Sequence, residues 1–189
     1  MIQPVEEVSI PTDCSLHESA QNAYFADAFA TLIPRSDLTA TQLYAAVMRS
    51  TPAWVDSLMR ARNGVVAWFG LKNLGVLSAV PDTIGQPLQI GQLVGIFSFV
   101  RETPTELVIQ DTDKHLTVQI AVIKQTVDSQ HDRLIACTVV HIHNLLGRAY
   151  LVPVGKAHKY ILPAVLRGAP TAVLQTIQLH LNNSLKVAG

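Results

Sequence analysis

Charge is scarce in this chain. Asp, Glu, Lys and Arg make up 15% of its 189 residues, and fourteen acidic side chains are matched by fourteen basic ones. That balance removes the electrostatic case for nucleic acid or an anionic membrane surface as a partner. Cysteine is nearly absent: Cys14 falls in a loop and Cys137 in mid-strand, far apart in sequence, so both read as free thiols in a reducing cytoplasm. The opening residues, Met1 to Glu7, lack a basic stretch followed by an apolar one, so no secretory signal is expected. The uncharged run from Thr83 to Val100 is broken by Gln, Gly and Pro87, which argues against a membrane span. Gly-rich phosphate loops, basic aromatic patches and a Gly-x-Ser-x-Gly nucleophile are missing, which argues against nucleotide chemistry, nucleic acid and a serine hydrolase.

What the chain has instead is apolar bulk. Residues of that class make up 49% of it, more than in an average soluble domain. The length fits one domain with a sizeable core, and the excess could line a cavity or a subunit interface.

Residues 1–22, with Pro4, Pro11 and Thr12-Asp13, read as irregular. Ala23 to Ile33 reads as a first strand ending at Pro34. Thr39-Ala40-Thr41-Gln42 is a capping-box pattern that predicts a helix from about Ala40 to Arg49. Thr51 and Pro52 open a second helix, with an apolar stripe of Trp54, Val55, Leu58 and Met59 that ends at Asn63-Gly64 or runs on through Trp68-Phe69 to Gly70. Loop punctuation follows from 71 to 92. Four strands come next, Ile96–Arg101, Glu106–Gln110, Leu116–Gln125 and Arg133–His143, joined by connections too short for crossover helices and therefore antiparallel. Alternation in Leu116 to Lys124 predicts one buried face and one largely wet face.

The last strand feeds an apolar helix running to Leu166, which Pro163 should bend or shorten and Gly168-Ala169-Pro170 should end. An amphipathic extension over 169–189 follows, so the expected organisation is a single domain over 1–168 plus that extension. The fold class is α+β: a curved antiparallel sheet needs a cover, and the long C-terminal helix has the length to supply it. This order resembles the helix-grip fold of the START-like and polyketide-cyclase-like superfamily, whose members hold lipids, sterols or other hydrophobic molecules between helix and sheet. Three motifs, Gly91-x-x-x-Gly95-x-Phe97, Asp113-Lys114-His115-Leu116 and His143-Asn144-x-x-Gly147-Arg148-x-Tyr150 with His158 beyond, resemble an uncharacterised bacterial domain-of-unknown-function family. That family also occurs fused behind nucleoside-diphosphate-sugar epimerase-like domains, and the resemblance covers roughly Ala23 to Arg167. Pro163 and the tail after Gly168 depart from its pattern.

The expected function is binding of a small hydrophobic molecule, with His115, His143, Asn144, Tyr150 and His158 as candidate polar contacts at the cavity. Each has a plainer structural use: His143-Asn144 can cap the following helix, and Tyr150 and His158, two turns apart, can be core groups with satisfied polar ends. Asp113 and His115 could orient a general base but read more simply as a solvated turn. His141-x-His143 places two imidazoles on one strand face without an obvious third ligand, so no metal and no cofactor are assigned. Asp27 reads as an edge or turn carboxylate, and no residue is singled out as catalytic. The alternatives are a cyclase- or hydratase-like enzyme with a histidine acid or base, and a homodimeric module built through the helix after Pro170.

Overall fold

The computed structural model describes residues 4–67, 75–79 and 88–187, with the side chains of 65–67 and 184–187 left aside. The elements in order are β1 (Glu6–Glu7), α1 (His17–Gln21), β2 (Phe25–Pro34), α2 (Ala40–Arg49), α3 (Ala53–Ala67), β3 (Leu93–Val94), β4 (Phe97–Glu102), β5 (Glu106–Thr112), β6 (Leu116–Thr126), β7 (His131–Ile142), α4 (Leu145–Leu166) and α5 (Ala169–Val187). The strands form one antiparallel sheet in the order β1-β2-β7-β6-β5-β4-β3. This is the α+β helix-grip arrangement: a curved sheet, two short helices after the first long strand, and a long bent C-terminal helical segment.

The capping box opens α2, with Thr39 accepting from the Gln42 amide and Gln42 accepting from the Thr39 amide. The Gly91 and Gly95 motif is also conformational, since both have positive φ, 84° and 66°, and Gly95 sits in the tight turn between β3 and β4. In α3, Val55 is fully buried, but Trp54 and Leu58 are about half exposed, so the predicted apolar stripe is only partly core. Trp68 and Phe69 lie outside the described residues. The helix runs past Asn63-Gly64 to Ala67.

One face of the sheet, the inner face, carries Phe29, Ile33, Leu107, Ile109, Val122 and Leu134. Its cover is shared. Seven α2 residues are buried, and α5 adds Ala169, Ala172 and Val173, whereas α4 buries Gly147, Leu151, Val165 and Leu166 near its two ends. The helix predicted to grip the sheet is thus held at its termini, with α2 and α5 filling the space beside it. Pro153 and Pro163 lie within α4, and helical turns continue through Arg167 into α5.

The opposite, outer face is not largely wet. Val108, Ala121, Ile123, Ile135, Cys137 and Val139 form a second buried cluster with Cys14 and Leu16. The N-terminal segment read as irregular lies over it, α1 included. Ser15 donates to Glu106 from its amide (2.9 Å) and its hydroxyl, and Ser19 Oγ lies 2.9 Å from Gln119 Oε1 and 2.8 Å from His141 Nε2. Cys14 and Cys137 are therefore in contact. Donating its thiol hydrogen to Cys14 and being buried both push the Cys137 thiol up from its ordinary range, while Cys14 is lowered by accepting that bond. Cys14 is 5% exposed and Cys137 0%. Neither should react with an aromatic disulfide reagent in the native protein; two equivalents should appear only on denaturation. Stoichiometric labelling of folded protein would contradict this packing.

Candidate functional site

Two constellations use the residues that sequence singles out, and they do different work. The first is a clasp at the start of α4. Asn144 Oδ1 accepts from the amides of Leu146 and Gly147, both at 3.1 Å, capping the helix, and lies 3.1 Å from His115 Nδ1. Its Nδ2 donates to the Lys114 carbonyl (2.9 Å), and the His143 amide donates to the His115 carbonyl (2.8 Å). Asp113 Oδ1 accepts from the His115 and Leu116 amides at 2.6 and 3.0 Å and so shapes the β5–β6 turn. Gly147 packs so tightly under that turn that a Cβ there would lie 2.2 Å from the His115 carbonyl oxygen. Arg148 reaches the Tyr24 hydroxyl (3.3 Å) and ring, and Arg62 of α3 donates to the Tyr150 hydroxyl (2.9 Å) and lies over its ring.

The second lies between the inner face and the middle of α4. β2 alternates so that Asp27 points inward, two residues from Phe25 and from Phe29. Its side chain is 2% exposed, and Oδ1 lies 3.2 Å from His158 Nε2. Oδ2 is buried without a hydrogen-bond partner among the described residues. The His158 ring meets Phe25 edge-on, with centroids 5.7 Å apart. Around this pair the packing loosens. Val118 and Ile120, the third and fifth residues of the central strand, are only half-buried, as are Val154, Ile161 and Leu162 of α4.

Residues 19–165 match the family model described as a protein of unknown function, DUF2867. The chain belongs to that family. No curated protein and no solved structure matches it. The match runs from within α1 to the end of α4, so Cys14 and Ser15 of the N-terminal segment, and α5, lie outside it.

Within this DUF2867 domain, His115 and Asn144 meet at the clasp, whereas two of the five candidates face the helix–sheet interior: Tyr150, whose ring packs with Leu116, Val140 and Leu151 while its hydroxyl accepts from Arg62, and His158, which meets Asp27. His143 and His141 do share a strand face, but it is the outer one, where His143 Nε2 lies 3.2 Å from Thr117 Oγ1 and His141 is held by Ser19. His115 Nε2 is buried and lacks a hydrogen-bond partner among the described residues. Asp27 is the residue sequence reading misplaced. It is not a turn or solvent-exposed carboxylate: it is the third residue of β2, paired with Thr138 of β7, and its side chain is turned into the interior. The available signal was a carboxylate at an inward position of a strand otherwise built of apolar residues.

Proposed function

We propose that this domain binds a small, largely apolar molecule between the inner sheet face and α4, in the manner of START-like and polyketide-cyclase-like proteins, without a cofactor, in the cytoplasm. The observation behind this reading is partly buried apolar surface on the inner face of β6, at Val118 and Ile120, beside β7 and β2, the strands over which α4, anchored at its ends, passes. Apolar surface left open on an inner sheet face gains by being covered. About 300 Å² of buried ligand surface contributes on the order of 7 kcal/mol before the cost of ordering the complex. Pro153 and Pro163 each remove a backbone donor from α4, which lets the segment between them adjust to an occupant. His115 and Asn144 at the clasp, together with Tyr150, then serve by positioning α4, and His158 by meeting the ligand's polar end.

The test is native mass spectrometry of the purified protein against its denatured mass, with an organic extract analysed in parallel. A stoichiometric apolar molecule is expected. Saturation with it at about 100 times its Kd should add about 2.7 kcal/mol of stability, a rise of roughly 5–10 °C in Tm. A clean apo mass, together with no thermal shift from fatty acids, sterols or polyketide-like aromatics, would remove the proposal.

The Asp27–His158 pair favours a second reading, acid–base catalysis of a cyclase or hydratase type, because a carboxylate at 3.2 Å can orient an imidazole for proton transfer. Its test is chemical change of the extracted molecule on incubation with the protein. Such turnover should stop in His158→Gln while binding persists.

A further inference from the structure

All fourteen acidic side chains lie at or before Asp132. The remaining residues carry none, while Arg133, Arg148, Lys156, Lys159, Arg167 and Lys186 are basic. The zero net charge thus hides a segregation, and a chain with charge divided between its two parts points to an anionic partner for the basic one. The fold concentrates this charge further. With about 3.6 residues per turn, Leu145, Arg148, Val152, Lys156, Lys159 and Tyr160 fall on one stripe of α4, opposite the stripe of Leu151, His158 and Val165 that faces the sheet. All six are exposed. Leu145, Val152 and Tyr160 present large apolar surfaces to solvent, at 82%, 56% and 76% exposure.

We propose that this outer face of α4 docks on the surface of an anionic lipid bilayer, with the helix lying in the interface plane. Interleaved cations and apolar side chains suit a surface that is charged above and oily beneath. Nucleic acid would engage the cations and leave Leu145 and Val152 without a partner. A cleft of about 240 Å³ beside the stripe, lined by Phe25, Leu151, Val152 and Gly155 with Lys156 and Lys159, gives an apolar recess next to two ammonium groups. That volume is below the size of a typical small-molecule cavity, which suits contact with part of a lipid rather than enclosure of a whole ligand. Among the described residues, Glu7 is an acidic group paired with the stripe, 3.9 Å from Lys159, with both side chains more than half exposed. Such a pair is weak and yields to a multivalent surface. No helix among the described residues is long and apolar enough to cross a membrane, so the contact is one of surface only.

The test is co-sedimentation of the full chain with vesicles of phosphatidylcholine alone and of phosphatidylcholine with a quarter phosphatidylglycerol, at 0.1 and 0.5 M salt. Binding is expected to the anionic vesicles alone and to be lost at the higher salt, where screening is strong. Each lysine near such a surface is worth about 1 kcal/mol, so the double variant Lys156→Gln/Lys159→Gln should partition roughly 25-fold less. The pair Val152→Ser/Tyr160→Ser should also weaken binding, and should do so at both salt concentrations. Absence of binding, equal binding to both vesicle types, or wild-type partitioning by the lysine variant would overturn the proposal. So would binding to DNA or to an acidic polypeptide in place of the vesicles.

Discussion

Replacing Gly147 with alanine should destabilise the protein by about 3 kcal/mol, lowering Tm by roughly 6–12 °C. The added Cβ would meet the carbonyl oxygen of His115 at 2.2 Å, its carbonyl carbon at 3.0 Å and Ile142 Cγ2 at 3.3 Å. The first two are backbone atoms in a turn fixed by Asp113, so no side chain can swing aside to make room. The turn and the helix start must separate, which stretches the bonds from the His143 amide to the His115 carbonyl and from Asn144 to Lys114. Alanine's better helix propensity recovers about 1 kcal/mol or less of this cost. Gly155→Ala, in the same helix, is the control. Its Cβ would have Phe25 Cε2 as nearest neighbour at 3.9 Å, an ordinary contact, so stability should hold or rise. If thermal melts of the two variants fall together, the cause is not the clasp.

Asn144→Ala should cost a similar amount by a different route. One side chain there caps α4, holds the His115 ring and ties down the Lys114 carbonyl. Loss of an N-cap costs about 1 kcal/mol. His115 is buried and its Nε2 already lacks a partner among the described residues, so stranding Nδ1 as well adds roughly 1–3 kcal/mol. Asn144→Asp keeps the accepting oxygen and should recover most of the loss. Urea denaturation of the three proteins separates the cases, and an aspartate variant as weak as the alanine one would mean that the Lys114 contact dominates. With Gly147 and Asn144 both changed, the losses should not add, because each opens the same junction.

The extent to which the architecture was legible follows from which signals are local. α2 begins and ends where Thr39, Gln42 and the apolar spacing place it, since its cap and its periodicity are properties of ten consecutive residues. The meander was legible for the same reason: short connections leave β4 to β7 no other pairing. The covering of the outer face was missed, although β7 carried the sign of it. Leu134-Ile135-Ala136-Cys137 is apolar at consecutive positions, as a strand dry on both sides must be, whereas the 116–122 alternation in β6 suggested a wet face. The candidate site was less legible. Asp27 and His158 are 131 positions apart, and their meeting depends on the register of β2 against β7 and on where α4 crosses, neither of which any local pattern encodes. Two of the three family motifs meet at one junction, where the structure gives His115, Asn144 and Gly147 an anchoring use, while the third forms the β3–β4 turn.

The pairing of β2 with β7, from Phe25 opposite Val140 to Pro34 opposite His131, also governs how the chain reaches this structure. Strands β4 to β7 are sequential hairpins and can form as soon as they are synthesised. β2 must wait through about a hundred residues for its principal neighbour, with Phe29, Ile33 and both of its hydrogen-bonding edges unsatisfied in the meantime. Closure of so long a loop is the slow step expected of folding. The span between emergence of β2 and completion of β7 is when the nascent chain is most open to aggregation and to capture by chaperones.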